Sequence, residues 1–139
     1  MKKKLSALVV LSSVLVLIAG CEGATTVVEP CSQNVDVFVG DGSVPLFLWT
    51  PRCGISQLEV STVPATGGKA FFVRAFHVPE NQPVRPFVRY GTAPSHATVS
   101  VQPQALDPGT TYRVHVSQTV GGDVLTSSGE ATFTHFPPD

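Results

Sequence analysis

Hydrophobic and polar positions divide this chain into two unlike parts. Residues 5–19 are almost continuously apolar, broken only by Ser6, Ser12 and Ser13, and follow three lysines at positions 2–4. From residue 35 onward apolar positions come in short runs, many alternating with polar ones, and no segment sustains a 3.6-residue period. That second pattern predicts strands over 35–39, 44–49, 58–60, 70–78, 87–90, 97–101, 113–116 and 130–136. Between them stand turn residues: Gly40-Asp41-Gly42-Ser43, Thr50-Pro51, Gly67-Gly68 and Gly121-Gly122-Asp123. The clearest alternation follows Thr111: Tyr112, Val114 and Val116 share one face, Arg113, His115 and Ser117 the other. Seven or eight short strands about ten residues apart predict an all-β antiparallel sandwich.

The apolar run near the N-terminus has the layout of a secretory signal peptide. Its fifteen or so residues fall short of the roughly 20 that a stable spanning helix needs, which favours cleavage over permanent anchoring. Ile18-Ala19-Gly20-Cys21 resembles the bacterial lipobox. The resemblance implies removal of residues 1–20, cleavage between Gly20 and Cys21, and a diacylglyceryl thioether on Cys21, so that lipid rather than a helix holds the protein. Two or more acyl chains convert reversible contact into stable anchoring. The implied location is a membrane surface of the bacterial envelope. Glu22 is compatible with the outer membrane if the host is Gram-negative.

With Cys21 assigned to lipid, Cys31 and Cys53 remain as an even pair in an exported chain, which predicts a disulfide. Residues 21–34 then form a lipidated tether and residues 35–139 the sandwich. Loss of the three N-terminal lysines leaves six Lys and Arg against ten Asp and Glu, a balance that argues against nucleic-acid partners.

Leu-x-Pro-Gly-Thr-x-Tyr over 106–112 resembles the loop and tyrosine corner of fibronectin type III and wider immunoglobulin-like domains, and Trp49-Thr50-Pro51 resembles the tryptophan and proline ending their second strand. The resemblance implies a buried Trp49 and a Tyr112 hydroxyl bonded to upstream backbone. Phe47 is expected to share the face of Trp49. Val44, Leu46 and Leu48 then crowd the opposite face, and cover by residues 70–78 is the expected solution, with a partner contact as the alternative.

Candidate chemistry is sparse. The histidines at 77, 96, 115 and 135 stand far apart, no Gly-x-Ser-x-Gly elbow occurs, and the acids fall singly along the chain. No catalytic residue, metal or cofactor is expected. The expected role is a non-catalytic interaction or structural module, tethered through Cys21 and contacting an envelope protein. The proline-rich residues 78–86 are the candidate contact loop. The alternative is an accessory carbohydrate- or peptidoglycan-binding module, signalled by exposure of Trp49 or Tyr90.

Overall fold

The computed structural model describes residues 27–137; the signal segment, Gly20 and Cys21 lie outside them. Among the described residues eight strands form: β1 (Asp36–Gly40), β2 (Leu46–Thr50), β3 (Gln57–Thr62), β4 (Phe72–His77), β5 (Val88–Arg89), β6 (Thr98–Val101), β7 (Thr111–Val120) and β8 (Val124–Thr134). They make two antiparallel sheets, β1-β2-β5 and β6-β4-β3-β7-β8. No helix occurs among the described residues. The two sheets pack as a sandwich.

Alternation explains the core. Phe47 and Trp49 of β2 point inward against Leu58 and Val60 of β3 and Tyr112, Val114 and Val116 of β7, and all of them are buried. Trp49 is 1% exposed and its indole N–H donates to the Cys53 carbonyl at 2.9 Å, so its one polar group is satisfied inside. Burial of each such aromatic contributes about 1.5–3 kcal/mol. Phe133 of β8 stacks on Tyr112 at 5.7 Å between ring centres and meets Phe47 at 5.9 Å, joining the sheets by aromatic contact. The Tyr112 hydroxyl accepts the amide proton of Asp107 at 2.8 Å, pinning the loop before β7.

One expectation is corrected. Residues 70–78 do not cover Leu46 and Leu48, because β4 pairs with β3 in the opposite sheet, setting Phe76 against Leu58 inside the core. Leu46 and Leu48 stay on the outer face of the three-stranded sheet. Leu48 lies opposite Phe38 of β1, itself 53% exposed.

β1 and β8 are each one edge strand of their sheet and run side by side. They touch where the Val35 N–H donates to the Ser128 carbonyl at 3.1 Å. Gly129 permits that approach, since a Cβ there would run into the Val35 carbonyl and the side chains of Val35 and Val37. Beyond it the two edges part.

Tyr112→Phe keeps the ring contacts and removes the acceptor of the Asp107 amide. It should lower unfolding free energy by about 1 kcal/mol in urea titration; an unchanged midpoint would show that the corner bond carries no load.

Candidate functional site

Residues 29–35 run along one end of the sandwich and are held to both sheets. The disulfide Cys31–Cys53 forms, with 4.9 Å between Cα atoms. The Cys31 amide donates to the Gly54 carbonyl at 2.8 Å, the Gly54 amide to the Glu29 carbonyl at 2.7 Å, and the Thr126 hydroxyl to the Cys31 carbonyl at 3.1 Å. The Ser127 hydroxyl reaches the Gln33 carbonyl and the Asn34 amide oxygen accepts the Ser128 N–H. The later part of the expected tether is therefore strapped to the folded body.

At the other end, where β1 and β8 diverge, lies a groove of about 650 Å³. One wall is β1 and its following turn, residues 37–43; the other is the end of β8 with His135 and Phe136. Phe38 and Phe136 stand at its rim, the latter 71% exposed, and Phe133 lines it from the core side. The wall strands each pair on one side only, β1 with β2 and β8 with β7, so backbone donors and acceptors face the open side. Sequence reasoning missed this groove. Its signal is topological: neither strand alone shows that it is an edge.

The candidate contact loop is anchored at several points. Glu80 accepts the amide protons of Gly121 and Gly122 at 2.9 and 2.6 Å, Val84 bridges to Ile55, and His96 lies 3.0 Å from the Gln82 carbonyl. These ties make it a structural connection as well as a surface loop.

The histidines remain dispersed. His77 is exposed at the end of β4, His135 lines the groove, and His115 lies 3.9 Å from Glu59 on the outer face of the five-stranded sheet. That pair lines none of the grooves described. Among the described residues no three His, Cys, Asp or Glu side chains converge as a metal site.

A polar contact inside β4 also escaped sequence reasoning. Arg74 sits in a strand read as apolar, is buried, and its guanidinium reaches the Thr92 carbonyl at 3.1 Å while lying 5.4 Å from the Phe76 ring centre. Loss of solvent lowers its pKa from the usual arginine range, with the neighbouring Tyr90 opposing the shift. The Tyr90 hydroxyl lies 2.7 Å from the Gln104 carbonyl and 3.2 Å from that of Val73. Burial raises its pKa, more than the Gln104 bond lowers it. Trp49 and Tyr90, the two aromatics on which sugar stacking would depend, are thus one buried and one half-buried and bonded.

Comparison with protein-family models, curated proteins and solved structures finds no match to this chain.

A raised Tyr90 pKa means that the folded state holds the phenolic proton more tightly than the unfolded chain. Its contribution to stability is full below the ordinary tyrosine value near 10 and is lost as pH rises through the higher folded value. Urea titrations across this range should show wild type losing stability more steeply than Tyr90→Phe. Parallel curves would contradict the assignment.

Proposed function

We propose that this chain is a lipid-anchored, non-catalytic protein of the bacterial envelope whose sandwich holds a partner polypeptide at the groove between β1 and β8. Lipid on Cys21 confines the domain to a membrane surface and raises its effective concentration toward partners there. The observation that carries the contact reading is the groove itself, with two single-sided strand edges as walls and Phe38, Phe133 and Phe136 along it. Strand edges recognise an extended chain by main-chain hydrogen bonds, and adjoining apolar pockets select its side chains. The half-buried Leu46 and Leu48 on the outer face support the same reading, because their face continues into the groove at Phe38.

The groove lies at the end away from the strapped residues 29–34, so a partner reaches it without meeting the bilayer. Carbohydrate binding, the alternative, finds no support in Trp49 or Tyr90.

A photo-crosslinking amino acid placed at Phe136 in the native envelope tests the reading, with Ser100 on the opposite sheet edge as reference. Phe136 should yield a discrete protein adduct and Ser100 should not. Equal adduct patterns, or glycan adducts alone, would contradict it.

A further inference from the structure

The loops joining β2 to β3 (residues 51–56), β4 to β5 (78–87) and β7 to β8 (121–123) emerge at the end of the sandwich where the described chain begins. Val27 lies there in a groove of about 510 Å³ with Arg52, Arg85 and Phe87. Phe87 is 55% exposed and held at φ 77°, a conformation that bulky residues rarely adopt, with the Arg52 guanidinium 5.5 Å from its ring centre. Strain that presents a phenyl ring to solvent points to a use for that ring. The β7–β8 hairpin adds Val120, Val124 and Leu125 at the same end, each at least half exposed. Glu80 bonds the hairpin amides to the 78–87 loop, so both apolar elements are fixed to one another.

We propose that this end seats on the bilayer that carries the Cys21 lipid, with Phe87 and the hairpin aliphatics entering the interfacial layer and Arg52 and Arg85 meeting lipid phosphates. The proposal rests on the lipidation of Cys21. Chain length selects the occupant: the six residue steps from Cys21 to Val27 reach at most about 22 Å, whereas β7, with ten residues, is about 33 Å long. The tether is thus too short to hold the domain clear by its own length, and the end bearing Val27 faces the membrane. The Arg52 guanidinium lies against the exposed Phe87 ring and Arg85 lines the same groove beside Glu29; with Asp36, Glu80 and Asp123 also at this end, the arginines serve as local phosphate contacts and not through a net positive charge.

The test uses the full-length lipidated protein in vesicles of phosphatidylethanolamine and phosphatidylglycerol, spin-labelled at Val124→Cys or, as reference, at Lys69→Cys in the distal β3–β4 loop. Collision with a water-soluble nickel chelate should be about five-fold or more lower at position 124 than at 69, and Arg52→Ser/Arg85→Ser should shrink that difference. Equal accessibility in protein that floats with the vesicles overturns the seating while leaving the anchor intact. Unchanged protection in the double variant overturns the role given to the arginines. Protein without lipid mass that fails to float overturns both the anchor and the seating.

Discussion

The strap across the tether end is the constraint on which the arrangement depends. A two-sheet sandwich is held by its core, but here the strand that closes one edge, β1, is delivered by a segment covalently tied to the β2–β3 loop at Cys53 and hydrogen-bonded to β8 through Thr126, Ser127 and Ser128. The disulfide closes a loop of 22 residues, which in the chain-entropy model stabilises by roughly 3 kcal/mol. Its placement matters as much as its magnitude. Any pull from a lipid on Cys21 would meet the Glu29–Gly54 bond and then the Cys31–Cys53 bridge before it reached β1.

Fixing β1 at one end only leaves the molecule with two different ends. Near the strap, Gly129 and Val35 bring the free edges together; farther on, with no bond between them, the edges separate into the groove. Among the exposed apolar groups, Val27, Val120, Val124 and Leu125 gather where the described chain begins and Val44, Phe71, Phe72 and Phe136 lie toward the far end, while Phe38 and Phe87 flank the middle of β2 on either side, Phe87 within reach of Arg52. On the proposed lipidation of Cys21, a short tether would turn the entry end toward the bilayer and leave the groove open to a partner.

Much of the fold could be read from residues in order, and the reasons are local. Tyr112, Val114 and Val116 alternate with polar neighbours, so strand and face follow directly; a lone tryptophan two residues before Pro51 and the two cysteines left over once Cys21 is read as lipidated are also local signals. What escaped depends on pairing between distant segments. β7 runs on to Val120, beyond the predicted 113–116, and β8 starts at Val124, well before the predicted 130, because Gly121-Gly122 closes a long hairpin whose buried polar Ser117, Gln118 and Ser127 break the apolar alternation. The burial of Arg74 and the absence of β4 from the outer face of Leu46 and Leu48 follow from which sheet β4 joins, and hydropathy is silent on that. Of the candidate site, Cys31, Cys53, Trp49 and Tyr112 were legible. The groove, made by two edges more than 90 residues apart in sequence, was not.

The anchor at Cys21 is the claim from which the tethering role follows, and the intact mass of the protein extracted by detergent from its native envelope tests it most directly. The account predicts a chain beginning at Cys21, heavier than residues 21–139 by a diacylglyceryl group or by that group with an additional acyl chain, and lighter by two hydrogens for Cys31–Cys53. A chain retaining residues 1–20, or one beginning at Cys21 with no added lipid, would contradict it.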